Sequence, residues 1–177
     1  MSELLRGLLA KNGYNSPGMV ETVEFVIGRL LRQLGMRMSV AESCTGGLIS
    51  HLITNVPGSS DYFLGGFTVY ANEAKVRLLG VRWETLEKYG AVSREIVLEM
   101  AEGARTALAA DVGLSVSGIA GPEGGTPEKP VGTTWIGLNT PRAGQARCFQ
   151  FVGDRLSVKE QAARMALQLL ADYLSNP

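Results

Sequence analysis

Segments with helical periodicity alternate with strand-like apolar runs along nearly the whole chain, and this alternation limits the folds that it can adopt. Buried strands separated by helices form a sheet covered on both faces, and a late hairpin adds antiparallel pairing. We therefore predict an α/β fold, a three-layer α/β/α sandwich with a mixed, mostly parallel sheet in a single domain. The predicted strands cover 37–41, 62–70, 112–120, 133–139 and 146–152. The first predicted helix begins near Ser16-Pro17 and ends at Gly35, and the second runs from the ESCTGG turn to about 55. The third covers 71–79 and ends at Gly80, the fourth covers 94–110, and the last begins near Ser157.

Capping residues mark two of these helices. Ser93 precedes the helix over 94–110 and can cap it. Ser157 and Glu160 have the spacing of a capping box, which places the start of the last helix at Ser157.

Length and composition narrow the class of protein. The chain has 177 residues, of which 45% are apolar, and no internal stretch resembles a linker between two domains. The chain has 17 Lys and Arg residues and 17 Asp and Glu residues, so its formal net charge is zero. A neutral chain is not expected to bind nucleic acid directly. No apolar run approaches the roughly 18 residues needed to span a bilayer, so no membrane association is expected. Cys44 and Cys148 are the only cysteines, which favours a cytoplasmic protein and excludes a thiolate-rich zinc site.

The stretch SVAESCTGGLIS, residues 39–50, carries the strongest chemical signal. It leads from a predicted strand into a helix and places three candidate nucleophiles, Ser43, Cys44 and Thr45, on the turn between them. The Gly46-Gly47 pair lets backbone N–H groups approach a substrate and predicts an oxyanion site. Glu42 either holds the turn or positions a donor. The residues alone leave Ser43 and Cys44 in competition, because Cys44 suits both nucleophilic attack and packing under the helix.

A serine nucleophile needs a base, and the single histidine cannot supply it. His51 lies eight residues beyond Ser43 on the same predicted helix, which separates them by roughly 12 Å along the axis. Lys75 is the better candidate, since it follows a strand and begins a helix, where burial and the helix N-terminus lower a lysine pKa. Tyr70, at the end of that strand, can orient Lys75 or relay a proton. The alternatives are a solvated surface lysine and a half-buried strand tyrosine.

Two further loops end near the same edge of the predicted sheet. The glycine-rich loop 118–132 is too long for a simple turn and favours a functional role, although a wide turn remains an alternative. Its spacing does not match a dinucleotide-binding fingerprint. Asp154 and Arg155 follow the last strand, where Arg155 can bind phosphate or form a surface ion pair and Asp154 can cap a helix. Because ligand sites form at the carboxyl ends of strands, we expect loops 42–47, 70–75 and 118–132 to converge.

The motifs AESCTGG, PGSSDYFLGGFTVYANEAK, GAVS, SGIAGPEGGTPEKPVGT and FVGDR occur in this order. Together they resemble the nicotinamide-nucleotide amidases, which also form the C-terminal domain of the CinA competence/damage-inducible proteins. The resemblance covers residue 20 to the C-terminus, so we divide the chain into an N-terminal segment, 1–18, and an amidase-like domain, 19–177. It implies hydrolysis of the carboxamide of nicotinamide mononucleotide to nicotinate mononucleotide and ammonia, a step of pyridine-nucleotide recycling.

The resemblance also assigns residues. It implies that Ser43 is the nucleophile, Lys75 the base and Tyr70 a further catalytic residue. Ala71 stands where the family commonly has serine, and Thr134 stands where an apolar residue is expected; neither change removes a catalytic group. The residues expected to bind the substrate are Glu42, Thr45, Gly46, Gly47, Asn72, Gly118, Gly121, Thr133 and, at the phosphate, Arg155.

The expected mechanism is acyl transfer through Ser43, with Lys75 taking its proton and Gly46-Gly47 holding the oxyanion. Such a reaction requires no metal or organic cofactor. The expected partner is a small-molecule nucleotide, and a homodimer is a candidate assembly. Two alternatives stay open: a non-catalytic nucleotide- or protein-binding module in a competence or DNA-damage response, and an amidase for another small carboxamide.

Overall fold

The computed structural model describes residues 21–176, and a five-stranded sheet forms the middle of the domain. Its strand order is β2-β1-β3-β4-β5. The strands are β1 Met38–Glu42, β2 Phe63–Thr68, β3 Val112–Gly118, β4 Thr133–Asn139 and β5 Gly144–Gln150. All five residues of β1 are buried, as expected for a central strand covered on both faces.

Helices cover both faces of this sheet. The helices α1, α2 and α6 pack on one face around the larger core cluster, and α3, α4 and α5 pack on the other. A short 3₁₀ helix, Ser59–Asp61, precedes β2. The bounds are α1 Val23–Leu34, α2 Leu48–Thr54, α3 Asn72–Leu79, α4 Trp83–Tyr89, α5 Arg94–Ala107 and α6 Arg155–Ser175. The predicted three-layer α/β/α sandwich is therefore confirmed.

The sheet is mixed and mostly parallel, as predicted, because four of its five strands run in the same direction and β4 runs against them. β1 pairs in parallel with both β2 and β3, whereas β3 with β4 and β4 with β5 are antiparallel. The late hairpin contributes this second half, because a short connection can join only antiparallel neighbours. As a result, the carboxyl ends of β1, β2 and β3 meet the amino end of β4 at one edge of the sheet.

The ends of the helices confirm some predictions and correct others. Gly35 and Gly80 adopt left-handed conformations after α1 and α3, and the Ser93 hydroxyl accepts a hydrogen bond from Ile96 N–H at the start of α5. Ser16 and Pro17, where the first helix was predicted to begin, lie outside the described residues. In the described part, α1 begins at Val23. The short helix α4 was not predicted.

The predicted capping box of the last helix is wrong. The N-cap of α6 is Asp154, whose Oδ1 accepts a hydrogen bond from Ser157 N–H at 2.8 Å. Glu160 instead forms an ion pair with Arg164, one turn further along. The helix therefore begins at Arg155, which brings that side chain to the edge of the sheet where the strands β1 to β3 end.

Within residues 21–176, no helix combines the length and the apolar character that a membrane crossing requires.

Candidate active site

The turn after β1 is built around the buried carboxylate of Glu42. Its Oε2 accepts hydrogen bonds from Gly47 N–H and Ile49 N–H, both at 3.0 Å. Its Oε1 accepts from Ser50 N–H at 2.9 Å and from the Ser50 hydroxyl at 2.8 Å. Glu42 is fully buried, so its carboxylate satisfies the first N–H groups of α2 and fixes the turn. The geometry gives Glu42 a positioning part in place of the predicted contact with the substrate.

The predicted oxyanion donors do not fit the structure. Gly46 N–H donates to Ser43 O at 3.2 Å, and Gly47 N–H donates to Glu42, so both groups are already engaged. Within residues 21–176, neither the Cys44 nor the Thr45 amide donates to a backbone carbonyl, and both lie near the Cys44 sulfur. An amide that directly follows a nucleophile is a common oxyanion donor. The oxyanion site therefore fits the N–H groups of Cys44 and Thr45 better than those of the two glycines.

Ser43 and Cys44 differ in their readiness to react. Cys44 is 4% exposed and packs in the larger core cluster, and burial raises the pKa of its thiol to about 11. A thiol that stays protonated at neutral pH is a poor nucleophile. Ser43 is 8% exposed and lies between the neighbouring strands, where its N–H donates to Val116 O at 3.0 Å. The geometry favours Ser43 over Cys44.

Lys75 is buried in the first turn of α3, with 1% of its surface exposed. Its Nζ donates hydrogen bonds to Val69 O at 3.0 Å and to Tyr70 O at 3.1 Å. Val69 N–H in turn donates to Glu42 O. The Lys75 amine is therefore hydrogen-bonded to a segment that pairs with the residue before Ser43. Burial lowers the pKa of Lys75, and the nearby Cys44 and Glu73 oppose this shift. The alternative of a solvated surface lysine is wrong.

Arg155 joins the ends of the two strands that flank β1. Its Nη2 donates to the Tyr70 hydroxyl at 2.9 Å, and its Nη1 donates to Gly121 O at 2.7 Å. Tyr70 follows β2 and Gly121 follows β3, and β1 lies between these strands. The Arg155 guanidinium thus connects the segments on either side of Ser43. Tyr70 is 61% exposed, so the alternative of a half-buried strand tyrosine is also wrong.

The loop after β3 is packed closely against the start of β4. Gly118 lies opposite Thr134, and a Cβ at Gly118 would clash with the Thr134 side chain. Gly121 has a φ of +82° and lies against Val131, so glycine suits both its conformation and its close approach. Thr133 is nearly buried, and its hydroxyl donates to Pro130 O at 2.7 Å.

His51 and Asn72 both lie on helices, as the sequence predicted. His51 is exposed in α2, and its ring nitrogen lies 3.3 Å from the Asn55 side-chain nitrogen. Asn72 is the first residue of α3 and is half-buried. Ala71 precedes it as the N-cap and offers no side-chain hydrogen bond to the helix. The predicted loops 42–47, 70–75 and 118–132 do converge at one edge of the sheet.

Sequence reasoning missed one cation at this edge. Lys159, on the second turn of α6, places its Nζ 3.5 Å from the position that a Cβ on Gly46 would occupy. It lines a cleft of about 490 Å³ between α2 and α6 together with Thr45. A slightly larger cleft of about 530 Å³ lies at the other end of β4 and contains none of the predicted site residues. Among residues 21–176, no cluster of three or more His, Cys, Asp or Glu side chains could hold a metal ion.

Comparison with known proteins was made for both sequence and fold. The family model of the CinA C-terminal domain matches residues 20–174. A CinA-like protein of Thermotoga maritima is 46% identical over 175 residues, which are 98% of this chain and 43% of that protein. A putative competence-damage inducible protein of Caldicellulosiruptor saccharolyticus is 47% identical, over 99% of this chain and 42% of that protein. The chain thus spans less than half the length of these relatives.

Solved structures of similar proteins have the same fold. A CinA superfamily protein from Klebsiella pneumoniae matches with a TM-score of 0.84 and 35% identity, over 88% of this chain and 97% of that one. The competence/damage inducible protein CihA from Agrobacterium tumefaciens matches with a TM-score of 0.82 and 36% identity, over 92% of this chain and all of that one, 100%. By sequence and by fold, the chain belongs to the CinA C-terminal domain family.

Proposed function

We propose that this domain hydrolyses the carboxamide of nicotinamide mononucleotide, giving nicotinate mononucleotide and ammonia, with Ser43 as nucleophile and Lys75 as base. The observation that carries the proposal is the buried Lys75 amine, which is hydrogen-bonded to two backbone carbonyls and close enough to Cys44, the neighbour of Ser43, for an electrostatic interaction. Within residues 21–176, no carboxylate forms an ion pair with this amine. A buried lysine without a counter-charge costs stability, which favours a catalytic role.

The hydrogen bonds of Lys75 suit a neutral amine. A neutral amine has two hydrogens and one lone pair, and the carbonyls of Val69 and Tyr70 can take both hydrogens. The lone pair is then free to accept a proton. Burial lowers the pKa of Lys75, so the neutral form is more populated than in a solvated lysine. Lys75 can therefore remove the proton of the Ser43 hydroxyl.

Attack of Ser43 Oγ on the carboxamide carbon forms a tetrahedral intermediate, and we assign its oxyanion to the amides of Cys44 and Thr45. Collapse of the intermediate breaks the C–N bond, and the proton held by Lys75 passes to the departing ammonia. Tyr70 accepts a hydrogen bond from Arg155, so its own O–H is free to donate a hydrogen bond to the departing nitrogen. Water then cleaves the ester on Ser43, with Lys75 again as the base.

The choice of a nicotinamide nucleotide rests on the motifs shared with the amidases. Within the site, the exposed Tyr70 ring can face a cationic pyridinium. The Glu42 carboxylate is less suited to this contact, since it is buried and already accepts four hydrogen bonds. The names of these relatives, CinA-like and competence-damage inducible, specify no substrate.

Ammonia release from nicotinamide mononucleotide by the purified protein tests the proposal. We expect turnover by the wild type and at least a thousand-fold loss in Ser43→Ala and Lys75→Met, because each removes one of two groups that act together. Lys88→Met removes an exposed lysine of α4 and serves as the matched control. Activity that survives in Ser43→Ala would move the nucleophile to Cys44 or Thr45. A folded wild type without turnover on this substrate or on nicotinamide riboside would favour the binding-module alternative.

A further inference from the structure

The cleft between α2 and α6 contains a cation and a hydroxyl that the catalytic steps above do not use. We propose that Lys159 and Thr45 form an anion subsite, which takes the phosphate of a sugar phosphomonoester while the other end of the ligand lies at Ser43. The identity of the whole ligand rests on the proposed function. The binding of a phosphomonoester at this place rests on the cleft itself.

Lys159 lies directly over the turn that carries Ser43. Its Nζ would be 3.5 Å from a Cβ at Gly46. Burial raises the pKa of the Cys44 thiol, and the charge of Lys159 is close enough to oppose part of this rise. Among residues 21–176, the Lys159 amine has no recorded hydrogen bond and no ion pair. An ammonium group has three donors, so Lys159 can offer all of them to an anion.

Thr45 provides a second and independent observation. It is 1% exposed, and its Oγ1 has no hydrogen-bond partner among the described residues. Leaving a buried hydroxyl unsatisfied costs free energy, and such a group calls for an explanation. Thr45 lines the same cleft as Lys159, where the oxygen atoms of a bound phosphate would satisfy it.

Among the described residues that line the cleft, Lys159 is the lysine or arginine without an ion pair. Arg164 and Glu160 also line the cleft, but they pair with each other at 3.0 Å. Arg155, the residue expected to bind phosphate, has Nη1 and Nη2 engaged with Gly121 O and the Tyr70 hydroxyl. The geometry therefore assigns Arg155 to positioning Tyr70 and the loop after β3, and Lys159 to the anion.

The subsite lies at the same turn of the chain as Ser43. Gly46 N–H donates to Ser43 O, so the two residues close a turn with Cα atoms within about 7 Å. In nicotinamide mononucleotide, the carboxamide and the phosphate are separated by one ring and one ribose. We therefore assign the carboxamide to Ser43 and the phosphate to Lys159 of one mononucleotide.

Lys159 could instead serve only to offset the buried charge of Glu42, which also acts on Cys44. The two accounts predict different results. A charge-balancing lysine would contribute to stability and leave ligand binding unchanged, whereas a ligand-binding lysine would contribute to affinity. The unsatisfied Thr45 hydroxyl in the same cleft favours the second account.

Calorimetric titration with ribose 5-phosphate tests the subsite without any turnover, and ribose serves as the ligand control. We expect the wild type to bind ribose 5-phosphate and not ribose. Lys159→Met should weaken binding about 10- to 100-fold, the range for one charged hydrogen bond, and Lys159→Arg should retain most of it. Thr45→Val, which keeps the shape of the side chain, should weaken binding about 10-fold, and Lys88→Met should leave it unchanged.

Each result decides between the accounts. Unchanged binding in Lys159→Met, or a loss confined to Arg155→Met, would overturn the subsite, as would a wild type that binds no phosphomonoester. Thermal unfolding of each variant shows whether a loss of binding follows from misfolding. Amidase assays on the same preparations separate the two proposals. A protein that binds ribose 5-phosphate through Lys159 but releases no ammonia keeps the subsite and loses the amidase.

Discussion

Replacing Glu42 with glutamine tests whether this carboxylate holds the nucleophile turn. The Glu42 oxygens divide four hydrogen bonds equally: Oε2 accepts from Gly47 N–H and Ile49 N–H, and Oε1 from Ser50 N–H and the Ser50 hydroxyl. In Glu42→Gln one oxygen becomes an NH₂ group, whichever way the amide turns. Two acceptor bonds are then lost, and two hydrogen donors face each other in a buried site.

The expected cost follows from these contacts. Hydrogen bonds to a charged group contribute roughly 1.5–3 kcal/mol each, so the loss of two lowers the free energy of unfolding by about 3–6 kcal/mol. For a domain of this size, each kcal/mol lowers the melting temperature by about 2–4 °C, which gives a decrease on the order of 10 °C. Urea unfolding should show a lower midpoint with an unchanged slope, because the folded state keeps its extent.

Glu102→Gln, an exposed change on α5, is the matched control and should alter the free energy of unfolding by less than about 0.5 kcal/mol. A Glu42→Gln variant as stable as the wild type but with a higher KM would refute this reasoning. It would return Glu42 to the part in substrate binding that the sequence suggested.

Three further predictions follow from the helix ends and from Lys75. Ala71→Ser supplies the missing N-cap hydroxyl of α3, where the backbone is already extended, and should raise the free energy of unfolding by about 1 kcal/mol in urea unfolding; a loss of stability would contradict it. Asp154→Ala should lower that free energy by about 1 kcal/mol and Ser157→Ala by clearly less, whereas the reverse order would restore the capping box. Burial lowers the pKa of Lys75 in the folded protein. Between this lowered pKa and the ordinary lysine value, the unfolded chain binds more protons than the folded one, so the free-energy cost of burying Lys75 decreases as pH rises. The stability that Lys75→Met gains over the wild type should therefore shrink with rising pH, while wild-type turnover rises; a pH-independent difference would refute a lowered pKa.

The local features of the fold could be predicted from the sequence because they depend on neighbouring residues. The strands, the left-handed glycines Gly35 and Gly80 and the cap at Ser93 all arise within a few positions of the chain. The convergence of the three loops also followed, since the carboxyl ends of neighbouring parallel strands share one edge. The strand order was harder to predict, because it depends on which strand the final hairpin joins.

The parts of the site that could not be predicted depend on contacts between distant segments. The sequence suggested that Glu42 can hold the turn, but not that its carboxylate would accept N–H groups from Gly47 to Ser50, up to eight positions ahead. Lys159 belongs to α6, and only packing of α6 against α2 brings it over Gly46. The spacing of Ser157 and Glu160 predicted a capping box. Glu160 instead pairs with Arg164 four positions further on, an interaction that is also common on helices.

The central claim is that Ser43, activated by Lys75, forms a covalent acyl intermediate with the carboxamide substrate. Rapid acid quench of the protein during turnover of nicotinamide mononucleotide, followed by mass spectrometry of its peptides, tests this directly. The account predicts a nicotinate mononucleotide ester on the peptide carrying residues 39–50, located on Ser43 and absent from Ser43→Ala and Lys75→Met. An adduct on Cys44 or Thr45, or full turnover by Ser43→Ala without any adduct, would contradict it.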